Sequence, residues 1–378
     1  MTAAASQVTV ARAAEHLLYL PYETWHFGDS ISFEALLTAS DVTGAPRYAA
    51  FAHGYFRAWA SRAEPYRPLD HTAPGLAMVL CAEQTGDARL LEAAAGLADH
   101  LSQRRTLRGV YATWERSPLR HPYGSVHLTL ADALLVRDPG AGVFVDCLHF
   151  DPPFFAALGR IGDNRRFAQL AVEQALGYAA LLQDAETGLY HHFWLENTGR
   201  PYALGWGRGQ GWALLGLLDV LQQAGWEGAR GASARSSTAE PGPDRLPDDG
   251  LAAVATSARR LAEAMRSLQR PDGHWHAVAQ APDSGDETST AAFMAVAFAR
   301  GRTLGVLDEG FAEPSQRALT ATLAATGAEG VLGGVSAAVW ACTHPEHYHH
   351  VPRGFLVPWG QGPLVLALAA AAKPAGRD

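Results

Sequence analysis

Apolar residues recur at three- and four-residue spacing at 88–101, 167–182, 212–224, 251–268 and 290–303, and this spacing predicts helices there. Strict apolar–polar alternation, the mark of a half-buried strand, is scarce. Between the helical stretches run related turn strings: ASDVTGAPRYAAF around Gly44, AEQTGDARLLEAA around Gly86 and GRIGDNRRFAQLA around Gly162. Each puts a glycine where a helix can end in the left-handed conformation, followed by residues able to open another. Helix, turn and helix repeat at roughly 40 to 60 residues, the length of a helical repeat unit. About six such hairpins, closed into a ring, make an all-α (α/α)6 toroid. An open solenoid is the alternative, but the strings between hairpins concentrate Trp, His, Asp and Arg in loops. That suits a site at one mouth of a closed barrel.

One stretch breaks the pattern. Residues 227–250, EGARGASARSSTAEPGPDRLPDDG, are rich in Ser, Ala, Gly and Pro without an apolar period, and are expected to form a flexible surface excursion. Helical spacing resumes straight after it, so residues 1–378 are read as a single barrel domain.

Composition narrows the function classes. Of 378 residues, 48% are hydrophobic and 18% charged, enough to bury a sizeable core. A net charge of −8 offers no clustered positive surface, so neither nucleic acid nor an anionic membrane is an expected partner. An acidic substrate would need cations supplied locally. Three cysteines, Cys81, Cys147 and Cys342, lie far apart and form no CxxC, which supports neither a disulfide framework nor a zinc ribbon. At the N-terminus, Arg12, Glu15 and His16 interrupt what an export signal would keep apolar, and the segment reads as an amphipathic helix. No apolar run reaches the ~20 residues that a membrane span needs, so a cytoplasmic protein is expected.

The densest chemistry lies between Phe144 and Trp212. Asp146 stands inside an apolar run, VFVDCLHFDPPFF, where a carboxylate needs a partner or a raised pKa, as a general acid does. Capping a helix that starts near Pro152 is the bland alternative, and Asp151 is better placed for it. In TGLYHHFW, adjacent His191 and His192 point to different sides of an extended chain, so at most one faces a site. In WGRGQGW, three alternating glycines allow close backbone approach. Trp206, Arg208, Gln210 and Trp212 offer stacking faces, a carboxylate-binding fork and an amide. Such a set suits an acidic sugar.

These strings resemble glycoside hydrolase family 105, the unsaturated rhamnogalacturonyl hydrolases, related to the unsaturated glucuronyl hydrolases of family 88. WGRGxGW, an earlier TGLxxH and a still earlier VDxL…PF occur here in the family's order. PLDHTAPG around Asp70, ETSTAAFM around Glu287 and WGQGPLVLAL near the C-terminus extend the likeness from about Trp25 to Leu368. The resemblance implies an (α/α)6 barrel that removes a Δ4,5-unsaturated uronic acid from the non-reducing end of lyase-generated oligosaccharides, of rhamnogalacturonan or pectin type. It does so by hydrating the C4=C5 bond, with no metal or cofactor. Carried over, Asp146 matches the catalytic carboxylate and Asp70 the second acidic residue, holding ring hydroxyls. His192, Trp206, Arg208, Gln210 and Trp212 match substrate-binding positions, with Arg208 the cation for the uronate. Leu195, Phe144 and Gln210 depart from the family's usual Asp, Trp and Asn, and these positions are expected to line the pocket or its aglycone side.

Other readings weigh less. In THPEHYHHVPRG, His344, His347, His349 and His350 fit no standard zinc spacing, and the segment reads instead as a rim loop where Arg353 assists binding. Cys147 beside Asp146 could be a nucleophile, but a cysteine in an apolar run is more often packing. An acylglucosamine-epimerase-like isomerase would need histidines on several inner helices, whereas here they sit mainly in loops. A non-catalytic oligosaccharide-binding toroid would need Trp206 and Trp212 but not Asp146.

Overall fold

The structure is a computed structural model that describes residues 3–22, 27–61, 65–124, 127–162, 164–226 and 248–372. The expected excursion at 227–250 falls outside them except for its last three residues, which open a helix. Helices run in chain order as α1 (Ala3–Leu17), α2 (Asp29–Thr43), α3 (Pro46–Ala60), α4 (Gly75–Thr85), α5 (Ala88–Leu101), α6 (Leu130–Arg137) and α7 (Cys147–Ile161). They continue as α8 (Arg165–Leu182), α9 (Gly207–Gln223), α10 (Asp248–Ser267), α11 (Ser289–Thr303), α12 (Ala312–Ala324), α13 (Glu346–His349) and α14 (Pro358–Ala372).

Six of these, α2, α4, α7, α9, α11 and α14, pack each against the next, and α14 closes on α2. They form the inner ring of an (α/α)6 toroid. Around them lie α1, α3, α5, α8, α10 and α12, each covering an inner helix. The sequence already carries this division. In α14 every residue from Trp359 to Ala369 is buried, as a helix apolar on all sides must be. The outer α5 buries only Leu90, Ala94, Leu97, Ala98 and Leu101, an i, i+4, i+7 stripe with a polar opposite face. No described helix is long and apolar enough to cross a membrane.

The turn glycines divide. Gly44 and Gly86 end α2 and α4 at φ 69° and 70° and donate to Ser40 O and Ala82 O, the left-handed termination that glycine allows. Gly162 has φ −90° and does not. Asp87 then caps α5 by accepting from Arg89 N at 3.1 Å.

Two expectations about α7 are corrected. It starts at Cys147, five residues before Pro152, and runs through Pro152 and Pro153. Asp151 is therefore no cap; it is buried within the helix and paired with Arg104 at 2.5 Å. The prolines leave the carbonyls of Leu148 and His149 without a helical donor, at the point where α9 packs. A Cβ on Gly216 of α9 would collide with Leu148 O, so only glycine lets the two inner helices approach this closely.

Five short strands complete the fold: β1 (Thr106–Leu107), β2 (Val110–Tyr111), β3 (Gly142–Phe144), β4 (His191–Leu195) and β5 (Arg200–Leu204). The last three form an antiparallel sheet in the order β3-β4-β5, with Phe144 opposite Phe193. Inside the ring lies a buried polar group of Glu34 (α2), His149 (α7), Asp219 (α9) and, at its edge, Arg300 (α11). Burial, then the Asp219 charge, pushes the Glu34 carboxyl up to about 8, and burial pulls His149 down to about 3.

Candidate active site

Because each outer helix returns the chain, the six inner helices run in one sense and their N-termini gather at one mouth. Contacts between the first residues of successive inner helices trace that mouth. Gly28, before α2, lies where an added Cβ would sit 2.6 Å from Trp359 at the start of α14. Trp359 Nε1 donates to Ser336 O at 3.0 Å, and Arg208, at the start of α9, reaches both Ser336 Oγ and Glu287, just before α11. Trp206, before α9, meets His192, which in turn faces Asp146 at the head of α7.

The β3–β4 pairing brings Asp146 and His192 together from strings more than forty residues apart. Val145 N donates to His192 O at 2.8 Å, so the sheet runs to the edge of Asp146. Asp146 holds the N-cap position of α7 yet caps nothing with its side chain, which is 14% exposed and lies with Oδ2 3.6 Å from His192 Nε2. The carboxylate is therefore turned into the mouth. Strand alternation separates the histidines as expected: His192 is buried in the site, whereas His191 Nδ1 lies 3.1 Å from Leu182 O behind it.

His192 is held on several sides. Its Nδ1 stands 2.7 Å from the Tyr348 hydroxyl, its ring centroid 4.3 Å from Trp206, and Phe144 meets it edge-on at 5.7 Å. Burial holds the Tyr348 phenol well above its usual range, so the hydroxyl keeps its proton. Tyr348 is a site residue that the sequence motifs do not single out; its only signal is the His-rich segment, which delivers this tyrosine to His192. Within that segment His347 Nδ1 accepts from Tyr123 N, while His344 and His349 lie near Asp132 and Asp283 respectively. Arg353 donates to Ser284 O and His349 O, bracing the loop rather than standing free for a ligand.

The WGRGQGW string takes a different part from the one expected. Its glycines lie in the first turns of α9, not in a loop, and each abuts protein: Gly207 against Thr290, Gly209 against the Trp206 ring, Gly211 against Phe293. Arg208 is fully buried. Its Nη1 donates to Ser336 Oγ at 2.6 Å and Glu287 Oε1 at 3.3 Å, and its Nη2 to Ala337 O at 3.2 Å. Both Nη atoms are engaged by protein and the unpartnered Nε is buried with them, so Arg208 does not offer a substrate the open bidentate pair expected of it. Burial pulls its pKa down, opposed by the carboxylates of Glu287 and Asp146. Its charge acts from behind Trp206, whose ring centre is 5.0 Å from the guanidinium carbon.

Gln210 spends its amide on backbone, accepting from Tyr190 N at 2.7 Å and donating to Tyr190 O and Trp206 O. It ties the start of β4 to α9. Trp212 has no exposed surface and packs among His149, Phe150 and Phe293. Leu195 and Phe144 belong to a satellite core with Phe193, Tyr202, Leu119 and Ala341. Positions 144, 195 and 210 thus lie behind the mouth, not along an aglycone wall, because strand parity and burial turn them inward.

Asp70 sits in a short 3-10 turn, Pro68–Thr72, that leads into α4 and packs against α7. It is 2% exposed, and its Oδ2 accepts from Arg67 N at 2.6 Å. Beside it, His71 meets Trp114 edge-on at 4.9 Å.

The fold has known counterparts. The family model of Glycosyl Hydrolase Family 88 matches residues 2–374. An unsaturated rhamnogalacturonyl hydrolase of Bacillus subtilis, YesR, is 24% identical over 347 residues, covering 91% of this chain and 89% of the relative. Among solved structures, a family 105 glycoside hydrolase from C. acetobutylicum superposes with a TM-score of 0.74 at 16% identity, covering 96% and 98% of the two chains. The unsaturated glucuronyl hydrolase of Bacillus sp. GL1, responsible for glycosaminoglycan degradation, superposes with a TM-score of 0.67 at 16% identity, covering 97% and 95%.

Proposed function

The chain belongs to Glycosyl Hydrolase Family 88 and is a glycoside hydrolase, and from that premise we propose that it removes a Δ4,5-unsaturated uronic acid from lyase-generated oligosaccharides by hydrating the C4=C5 double bond. The rhamnogalacturonan type is favoured by the Bacillus subtilis relative. The observation that carries the mechanism is a single carboxylate, Asp146, turned into the mouth and backed by His192 at 3.6 Å.

As the acid, Asp146 gives its proton to C4 of the enol ether, and positive charge develops over C5 and the ring oxygen. As the carboxylate so formed, it takes a proton from the water whose oxygen bonds to C5. The net change is addition of one water. The resulting hemiketal opens, and the exposed C1 hemiacetal expels the aglycone sugar. One group serves as acid and then base, so no second carboxylate is needed at the separations that sort ordinary glycosidases.

His192 and Tyr348 support that cycle. With Tyr348 donating to Nδ1, the imidazole carries its proton on Nε2, facing Asp146 Oδ2. That proton steadies the carboxylate once Asp146 has given up its own. Trp206 supplies an apolar face for the sugar ring, and Asp70 is read as holding ring hydroxyls. The substrate's carboxylate is met by the field of converging inner-helix N-termini, with Arg208 adding charge from behind. Arg208, Gln210 and Trp212 act as positioning residues for that mouth. Cytoplasmic residence, where lyase products would be finished, is supported by three buried free thiols.

The experiment is a panel of unsaturated disaccharides made by lyases from rhamnogalacturonan, pectin and glycosaminoglycan, followed by loss of the conjugated double bond's ultraviolet absorbance. Turnover is expected on the rhamnogalacturonan product. Asp146→Asn should lower kcat by about a thousandfold while leaving the disaccharide's Kd within a few-fold. Flat absorbance on all three substrates would overturn the reading.

A further inference from the structure

One turn below Asp146 on α7, His149 enters the centre of the inner ring and meets two carboxylates from other helices. Its Nε2 lies 3.9 Å from Glu34 Oε2 of α2 and 3.8 Å from Asp219 Oδ2 of α9. The three ligand atoms all lie within 4.8 Å of one another, and all three side chains are more than nine-tenths buried. These separations are too long for direct hydrogen bonds, yet they enclose one common point.

The remaining atoms explain why that point matters. Glu34 Oε1 accepts from Ser30 Oγ at 3.0 Å, and Asp219 Oδ1 is taken by Arg300. On each carboxylate, then, one oxygen is engaged by protein and the other is turned to the shared centre. Asp219 Oδ2 and both ring nitrogens of His149 are buried without any hydrogen-bond partner. Orphaned buried polar atoms are costly, and two of these, His149 Nε2 and Asp219 Oδ2, face one centre and call for an occupant.

We propose that Glu34, His149 and Asp219 bind a divalent transition-metal ion that pins α2, α7 and α9 together beneath the active-site mouth. One imidazole nitrogen and two carboxylate oxygens form a donor set suited to zinc or manganese rather than to calcium, which takes six or more oxygens. Among the described residues no other group of His, Cys, Asp and Glu is compact enough to hold an ion. The site carries no step of the hydration reaction and stands independently of it.

The test uses the full chain, expressed in zinc- and manganese-supplemented medium, desalted, and assayed for bound metal by mass spectrometry. About one equivalent per chain is expected for the wild type. Glu34→Gln should lose it, whereas a His344→Asn/His349→Asn variant of the surface segment should keep it. In parallel, wild-type protein stripped with chelator should gain about 3 °C in Tm when ZnCl2 or MnCl2 is restored at roughly a hundredfold excess over Kd. If Glu34→Gln fails to fold, the wild-type stoichiometry and the surface-histidine variant still decide. Wild type with no retained metal and an unmoved Tm would overturn the proposal, as would metal lost with the surface histidines but kept by Glu34→Gln.

Discussion

Asp146 and His192 are placed by backbone: the β3–β4 ladder sets their separation, and Tyr348 orients the ring. Arg208 is the opposite case, fixed by a buried ion pair with Glu287 that also accepts from Ser289 Oγ and Ser336 N. Removing one member leaves the other charge stranded in the core, so Glu287→Gln should cost about 3 to 5 kcal/mol of stability, read by urea denaturation. A Glu287→Gln protein as stable as the wild type would show that Arg208 does not depend on it. His347 makes a pH prediction. Burial pulls its pKa down to about 4, below the unfolded value, so its contribution to stability is complete above about pH 6.5 and is lost as pH falls toward 4. From this group alone the protein should be about 2 kcal/mol less stable at pH 5 than at pH 8, a loss that His347→Gln should diminish. Asp146 and His192 were legible because each stands in a short distinctive string. The real partner of Arg208 was not, because Glu287 lies 79 residues downstream and nothing local says that the guanidinium is already occupied.

At the scale of elements, helix positions followed from spacing, since an inner or outer helix must present apolar residues wherever it touches the ring. The spacing at 88–101 has the bounds of α5, and the spacings at 251–268 and 290–303 agree with α10 and α11 to within three residues at either end. The errors sit where proline and glycine mislead. Pro152 and Pro153 suggested a start for α7 that the packing at Gly216 overrides, and the glycines of WGRGQGW suggested a loop where they open a tightly packed helix. Gly216→Ala should therefore destabilise the protein by about 1 to 3 kcal/mol, measured as a lowered Tm with the secondary structure retained; an unchanged Tm would mean that α7 and α9 are not locked at this point. The strands are not legible, because segments of two to five residues leave too little alternation to register, and β3 finds its partner β4 only far along the chain.

The whole molecule joins these scales. Six parallel inner helices put six N-termini at one mouth, which gives a chain of net charge −8 a locally favourable field for an anionic sugar. Closure of α14 on α2 makes that mouth a ring rather than an open groove, and Gly362 lets the α14 backbone approach Ile31 O of α2 within the reach of an added Cβ at 3.0 Å. The central claim is that Asp146 works on a double bond rather than on the anomeric carbon. The most direct measurement is turnover of the unsaturated rhamnogalacturonan disaccharide in D2O, with the released uronate analysed by NMR at the earliest times, before its ketone can exchange neighbouring hydrogens. The account predicts a product that has lost its double bond and carries a newly bonded deuteron at C4, formed by the wild type and not by Asp146→Asn. A released uronate that keeps the C4=C5 bond, with no deuterium at C4, would place the chemistry at the anomeric carbon and contradict it.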